Sequence, residues 1–539
     1  MSQEEDSMTE QLTPNPYRFD AYLERRDSLD FYADDPMAQA VVRHYCGDRW
    51  EEVDREARAL SRKVSFRWKD LAEAAALPEK RPAVQHFDAY GRRVDRIVRP
   101  LETELLEREV FSEALFSERT HPWVKLTKMF LIYQLGEACI ACPVTCTEGL
   151  VALLDKFADS PELLRIRRHC KEGLDGRFAI GAQYLSEIQG GSDVPANRVG
   201  ALEEGGTWRL YGTKFFCSAT HADYAVVTAK PRGADSVALF VVPSWLPGDE
   251  PKGIRNGFTI DRLKWKMGTS ELPTAEITFN GAVAYPVGPL ERGLANVVGI
   301  VLTLSRLTVG LSSAAFMARA VREAKAYAQF REAFGQRIDR FPLVASQLAG
   351  MERTAQRTLA GAFRLYRSFL ALPEGLKGGL AADEPDAVRK LRFDVRELIM
   401  LQKVTAAWDA PDVIRGAMSI FGGHGVMEDF SALPRLYRDA AVNELWEGPR
   451  NVLLTQIHRD LSRVRAWYPP AEFVGRILEG ASEGLVKEIS REAEELLSGP
   501  ITHPVNGETM DRARGWDRFC QRLTQHYQEL ALEEVNQGR

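Results

Sequence analysis

The sequence predicts an α+β protein, mostly α, in which a small β domain separates two helical regions. Three observations predict it. Charged and apolar residues mix without strand alternation up to about residue 175, as in Ala57 to Val64 and Tyr90 to Arg108. From about residue 176 to 290, short β-branched or aromatic runs (Trp208-Arg209-Leu210-Tyr211, Tyr224 to Thr228, Val237 to Val242) are punctuated by Gly and Pro. After Gly293 the helical period returns, with Leu304, Leu307, Leu311, Ala314, Ala318 and Val321 on one face.

These shifts predict four regions. Residues 1–175 form an N-terminal α-helical domain whose first 16 or so residues are an acidic, mobile tail. Residues 176–290 form the middle β domain. Residues 291–465 form a C-terminal helical bundle, in which the Gly/Pro-rich loop from Pro373 to Pro385 precedes a helix starting near Ala387. Residues 466–539 form an acidic helical extension, with Leu478, Leu485, Ile489, Leu496 and Leu497 packing it onto the body or onto another subunit.

Composition bounds the function. A chain of 539 residues, 45% hydrophobic and 27% charged, buries a large core and holds more than one domain. The start Met1-Ser2-Gln3-Glu4-Glu5-Asp6 lacks a basic, apolar leader, and no uninterrupted apolar run reaches the ~18 residues of a membrane span. A cytoplasmic location without membrane insertion is expected. The net charge is −6 and the extension carries 8 Lys plus Arg against 13 Asp plus Glu, which disfavours nucleic acid as a partner.

Seven cysteines, an odd number in a long chain, do not suggest a disulfide framework. Cys139, Cys142 and Cys146 cluster locally, and a metal there needs a fourth ligand such as His169 or Cys170. Their spacing is also helical within the apolar segment Leu131 to Leu153, and buried free cysteines pack as small hydrophobes, so no metal site is predicted.

The motifs carry the chemistry. In Gln189-Gly190-Gly191-Ser192-Asp193-Val194 two glycines let the backbone approach a ligand, and Ser192 with consecutive N–H groups can donate to a pyrophosphate. The stretch Tyr184 to Val194 resembles the flavin loop of the acyl-CoA dehydrogenase family, with Ser186 in place of the usual threonine. Further matches follow in the family's order. Gly212-Thr213-Lys214-Phe215-Phe216-Cys217-Ser218 resembles the strand that lays an aromatic ring and a hydroxyl beside the isoalloxazine, here Phe216 and Ser218. Read locally, Phe216 serves equally as a core strand aromatic. Lys266 to Ser270 with Thr274 to Phe279 is similar to the closing β segment.

Arg331-Glu332-Ala333-Phe334-Gly335 resembles the turn whose arginine reaches the flavin pyrophosphate of a neighbouring subunit; by itself Arg331 also reads as a solvated helix arginine. Phe421-Gly422-Gly423-His424-Gly425 resembles the glycine-rich turn that nears the same cofactor, which makes His424 a loop residue rather than a base. Residues 120 to 462 share the resemblance. It implies an N-terminal helical bundle, a middle β-barrel-like domain and a C-terminal four-helix bundle around FAD, with Ser186, Ser192, Phe216, Ser218, Arg331, Phe334, Gly422 and Gly423 as cofactor contacts. A homotetramer, or at least a dimer, is implied because Arg331 and the Gly422-Gly423 turn complete a neighbour's site.

The resemblance also places the base. Glu447, in Asn443-Glu444-Leu445-Trp446-Glu447-Gly448, lies where one large branch keeps its carboxylate, whereas the position used by other branches is Ser305, which cannot act so. The implied activity is α,β-dehydrogenation of a CoA thioester, with electrons passing to an electron-transfer flavoprotein. The flavin loop, the Trp446-Glu447-Gly448 turn, the length and the extension most resemble the AidB-like branch, so a DNA-associated protective flavoprotein is the alternative. Pro449-Arg450 departs from the small residues that usually follow. Arg450 pairs either with a substrate carboxylate or CoA phosphate, or in a surface salt bridge.

Overall fold

The computed structural model describes residues 17–379 and 384–538. The acidic tail expected over the first 16 residues lies outside the described residues, as does part of the loop from Pro373 to Pro385.

The N-terminal region contains α1 (Asp20–Ser28), α2 (Pro36–Cys46), α3 (Trp50–Arg62) and α4 (Lys69–Ala75), then a hairpin of β1 (Ala83–Phe87) and β2 (Arg93–Val98). It continues with α5 (Leu101–Phe111), α6 (Pro122–Tyr133), α7 (Ala141–Phe157) and α8 (Pro161–Glu172). Local chemistry sets the helix starts. Asp35 accepts from Ala38 N ahead of Pro36, and Ser160 accepts from Leu163 N ahead of Pro161.

Two expectations are corrected here. The helical reading of Tyr90 to Arg108 gives way to strand β2 followed by α5. Asp95 is buried on that strand at φ 41°, held by His86 Nδ1 at 2.7 Å, Arg93 Nε at 2.8 Å and Ile260 N at 3.0 Å, so a charge occupies an inward site. The single helix expected from Leu131 to Leu153 is two, α6 and α7, broken where Gly136, Ala138 and Cys139 take left-handed φ of 86°, 45° and 58°.

The middle domain comprises β3 (Gly181–Tyr184), β4 (Gly200–Glu204), β5 (Thr207–Ser218), β6 (Tyr224–Pro231), β7 (Ala238–Pro243), β8 (Phe258–Leu263) and β9 (Thr274–Pro286). Strand order is β3-β6-β4-β5-β9-β7, with β8 on β9, and a β6–β7 pairing curls the sheet back on itself, giving the expected barrel-like domain. β3 runs parallel to β6 with Gly181 opposite Tyr224 and Tyr184 opposite Val227, which fixes where the chain leaves the sheet toward Ser186.

A short α9 (Gly293–Asn296) leads into α10 (Leu302–Phe330), whose predicted stripe is buried at Leu304, Leu307, Leu311, Ala314 and Val321. The segment Leu290–Phe330 is apolar and long enough to cross a membrane by composition, yet 72% of its most apolar window is buried in the protein, as befits a core helix. A two-residue hairpin, β10 (Glu332–Ala333) and β11 (Gln336–Arg337), connects to α11 (Pro342–Leu370), α12 (Asp386–Phe421), α13 (Leu433–Asn443) and α14 (Arg450–Val464).

The extension folds as α15 (Pro470–Ile477), α16 (Glu483–Leu496) and α17 (Gly507–Gln537), and it packs on the chain's own body. Trp516 is fully buried and donates to Leu454 O at 2.9 Å. Gln528 accepts from Arg357 at 2.8 Å and donates to Gln402 at 2.9 Å, in the space left by the missing side chain of Gly361. Tyr45 of α2 donates to Ala531 O at 3.0 Å, so α17 also touches the N-terminal domain.

Candidate active site

Glu447 sits in the turn between α13 and α14, facing the C-terminal end of β3 and the start of α10. Gln183 Nε2 of β3 donates to Glu447 Oε1 at 2.8 Å and to Ser305 Oγ at 3.2 Å. The two positions weighed for a base therefore meet across one amide. Arg306 Nε donates to Glu447 O at 2.9 Å, and Lys403 Nζ of α12 donates to Glu444 O at 3.0 Å and Gly448 O at 2.8 Å. These bonds hold Glu447 at φ 60°, a backbone conformation costly for a residue with a side chain.

The electrostatics suit proton transfer. Burial pushes the Glu447 carboxyl up to about 7, against the opposing pull of Arg306, Lys403 and the Gln183 amide. Burial likewise lowers the Lys403 ammonium to about 7 and the Arg306 guanidinium to about 10, each against the pull of Glu447. A carboxylate poised near neutrality and oriented by a neutral amide has the chemistry a general base needs. Among the described residues no acceptor meets the Glu447 N–H, which leaves it available to a substrate oxygen.

The loop after β3 is tied down from beneath. Glu187 is buried and accepts from Lys214 Nζ at 2.8 Å, Arg198 N at 2.6 Å and Val199 N at 3.1 Å, while Lys214, itself fully buried, also reaches Leu185 O and Thr228. Although burial raises the Glu187 carboxyl, Lys214 and the backbone N–H groups hold it below its ordinary range. Above this anchor Ser192 is exposed, Gly190 takes φ 143°, and a Cβ on Gly191 would lie 2.3 Å from Ser186 Oγ. Only glycine leaves that cradle open.

Ser186 O accepts from Phe215 N at 2.9 Å, which brings β5 alongside the loop. Phe216 is 50% exposed and so is not a core aromatic; Lys264 Nζ lies 4.6 Å from its ring centre. Ser218 shares a 3.0 Å hydrogen bond with Thr274. The exposed loop, the open glycine cradle and the free aromatic face fit a flavin nucleotide.

Arg331, Phe334, Gly422 and Gly423 form a separate group. Arg331 caps α10 and lies over Tyr17 at 5.3 Å, and Phe334, at the tip of the β10–β11 hairpin, is 98% exposed. Tyr327 OH lies 3.0 Å from His424 Nδ1, joining this end of α10 to the glycine turn. His424 also stacks on Phe430, so it is a structural loop residue. No atom lies within 4 Å of a Cβ on Gly422 or Gly423.

Arg450 settles on one of its two readings: it pairs with Asp517 of α17 and stacks over Trp408 at 4.7 Å. All seven cysteines are buried and free, with Cys142 and Cys146 Sγ 3.7 Å apart on successive turns of α7, and neither His169 nor Cys170 joins them. Gln183, Arg306 and Lys403 were not anticipated. Arg306 adjoins Ser305 and was open to notice; Gln183 is a lone polar residue in an apolar segment, and Lys403 sits beside Gln402 with nothing local to mark its role.

A β module between two helical regions, with a buried carboxylate where they meet and an open glycine loop beside it, fits an enzyme built around a bound cofactor. Known proteins sharpen the class. Residues 182–282 match the acyl-CoA dehydrogenase middle domain and residues 291–462 its C-terminal domain, together just over half of the chain; residues 22–165 match the adaptive response protein AidB N-terminal domain. The chain belongs to the acyl-CoA dehydrogenase family.

Acyl-CoA dehydrogenase family member 11 of Caenorhabditis elegans is 29% identical over 459 residues, 80% of this chain and 70% of that protein. AidB of Escherichia coli (strain K12) is 28% identical over 450 residues, 78% of each. The crystal structure of C. elegans ACDH-11 in complex with C11-CoA superposes with TM-score 0.78 at 24% identity, covering 94% of this chain and 90% of that one. An acyl-CoA dehydrogenase complexed with FAD from Bacillus anthracis does so with TM-score 0.67 at 18% identity, covering 90% and 81%.

Proposed function

We propose that this protein is an FAD-dependent acyl-CoA dehydrogenase that oxidises a CoA thioester to its α,β-unsaturated product, with Glu447 as the base. The placement of Glu447 carries the reading: a carboxyl raised to about 7, aligned by Gln183 and fixed in a left-handed backbone by Arg306. Glu447 takes the α-proton of the thioester while its own N–H donates to the thioester oxygen, which acidifies that proton. The flavin, when bound, accepts the β-hydrogen as a hydride. Ser186, Ser192 and the N–H groups of the glycine loop would hold its pyrophosphate, and Phe216 and Ser218 would lie beside its ring.

Arg331, Phe334, Gly422 and Gly423 serve the flavin of a neighbouring copy in a homotetramer, or at least a dimer. Their remoteness from Glu447 and the exposure of Phe334 (98%), Leu343 (73%) and Val426 (69%) support that assignment. An electron-transfer flavoprotein is the proposed electron acceptor and the cytoplasm the proposed location.

The match to the AidB N-terminal domain supports a second reading, a DNA-associated flavoprotein with little turnover. The acidic extension and the net charge of −6 weigh against it. An anaerobic visible spectrum before and after adding straight, branched, cyclic and aromatic acyl-CoAs separates the two. Bleaching of bound flavin by one class establishes the dehydrogenase; a yellow protein that none reduces removes it.

A further inference from the structure

Ser218 ends β5 directly opposite Thr274, the first residue of β9, and their two hydroxyl oxygens lie 3.0 Å apart. Next to Thr274 stands Lys266, in the loop between β8 and β9. Its Nζ donates to Thr274 Oγ1 at 2.9 Å and to Leu272 O at 2.9 Å. The row Lys266, Thr274, Ser218 therefore ends on a hydroxyl assigned above to the flavin.

The chemistry of the three groups gives the row a direction. An ammonium only donates, so Thr274 Oγ1 accepts from Lys266. A hydroxyl has a single hydrogen, and among the described residues Thr274 Oγ1 has no partner other than Lys266 and Ser218. Thr274 is buried, and the arrangement that leaves no buried hydrogen unpaired has it donating to Ser218. Ser218 is half-buried at the strand's end and has no other partner among the described residues, so its own hydrogen remains for a ligand.

The charge at the far end of the row is not cancelled by an ion pair. The neighbouring Lys264, whose Nζ lies 3.3 Å from the Phe215 ring centre, is matched by Glu276 at 2.7 Å. No carboxylate pairs with Lys266 among the described residues. Burial lowers its ammonium below the ordinary value, and Glu137, from the break between α6 and α7, and Asp439, from α13, pull against that. The loop that carries it is tied to α13: Thr269 N donates to Asp439 Oδ1 at 2.7 Å, and a Cβ on Gly268 would lie 2.3 Å from Arg438 O.

We propose that Lys266 is a positioning residue of the flavin site, which through Thr274 fixes the Ser218 hydroxyl as a hydrogen-bond donor to an acceptor atom of the flavin ring. This rests on the flavin site proposed above. Hydrogen bonds in a row polarise one another, and a donor with a cation behind it is stronger than a lone hydroxyl. Negative charge grows on the ring as the flavin is reduced, and a polarised donor stabilises that charge more than it stabilises the oxidised ring. Lys266 thereby raises the reduction potential of the bound flavin.

The test is that potential, measured anaerobically by equilibration with a reference dye on the full-length, flavin-loaded protein, with no acyl-CoA present. Lys266→Met should lower the ratio of reduced to oxidised flavin about tenfold at a fixed potential, a fall of about 30 mV for a two-electron couple. Thr274→Val keeps the shape of the buried side chain and leaves Lys266 in place; it should give the same fall, and it replaces Lys266→Met if that variant does not fold. Lys266→Arg, which retains a charged donor, should keep the parental potential. In a Ser218→Ala background Lys266→Met should have no further effect. A potential unmoved by Lys266→Met or Thr274→Val overturns the proposal, and so does a fall of the same size with Ser218 absent, which would make Lys266 a charge acting through space. No substrate takes part, so a protein that no acyl-CoA reduces still gives these potentials; failure to bind flavin at all strikes the flavin site itself.

Discussion

The amide of Gln183 bridges Glu447 and Ser305, donating to Glu447 Oε1 at 2.8 Å and to Ser305 Oγ at 3.2 Å. One strand residue thus reads both positions at which a base is available, and only one of them carries a carboxylate. The pair is the most sensitive point in the site.

Glu447→Gln keeps the side-chain shape and the N–H of residue 447 but removes the base. Flavin content should be unchanged, and the rate of flavin reduction by acyl-CoA should fall about 10²- to 10⁴-fold, as when a positioned base is lost. Stopped-flow absorbance checks it; reduction at the parental rate would falsify Glu447 as the base.

The pH dependence follows from the raised carboxyl. The base works only when ionised, so the limiting rate of flavin reduction should rise with pH through about 7. The Gln183 hydrogen bond favours the ionised form, so Gln183→Leu should move that rise to higher pH. An unmoved midpoint would show that the amide does not act on this proton.

Stability should carry the opposite mark. The folded carboxyl at about 7 lies above its unfolded value near 4.3, so the native state binds the extra proton between those limits and loses stability as pH rises through them. Below about pH 4 the difference vanishes. Glu447→Gln should therefore melt higher than the parent at pH 7 and together with it near pH 4, in calorimetric scans with flavin bound to both.

Phe334→Glu and Arg331→Ala probe the second group. Phe334 is too exposed to support its own fold, so a charge there should leave the melting of the isolated chain unaltered while lowering the oligomer mass and flavin retention on dilution. Light scattering with absorbance at each dilution measures both. Full retention in both variants removes the cross-subunit contact.

Trp516→Ala should cost about 3–5 kcal/mol through the cavity it leaves and the donor lost to Leu454 O. Denaturant unfolding measures the cost. Flavin reduction at 25 °C in the surviving protein should be unchanged, because the bonds that hold Glu447 come from Gln183, Arg306 and Lys403 and none from Trp516.

The order of helical, β and helical regions was legible because hydrophobic period changes at their borders, and the flavin loop was legible because it needs two glycines together: a Cβ on Gly191 would run into Ser186, and Gly190 takes φ 143°. The β1–β2 hairpin hid because Asp95 puts a charge on its inward face, compensated by His86 and Arg93 of the hairpin and by the distant Ile260 N. The break between α6 and α7 hid because Gly136 is its only glycine, and the left-handed φ continues at Ala138 and Cys139. Gln183 and Lys403 had no signal at all: their roles appear only when β3, α12 and the Glu447 turn converge.

The seating of α17 has a consequence for how the chain is made. Arg357 of α11 and Gln402 of α12 find their hydrogen-bond partner in Gln528, more than a hundred residues downstream of both, and Tyr45 of α2 waits for Ala531. The middle β domain closes from contiguous residues and can complete itself while synthesis continues. The bundle around α11 and α12 makes the Arg357–Asp409 and Gln402–Thr358 bonds from its own residues, but the bonds to Gln528 can form only once α17 has been translated. A stall between these helices exposes just that surface to chaperones and proteases.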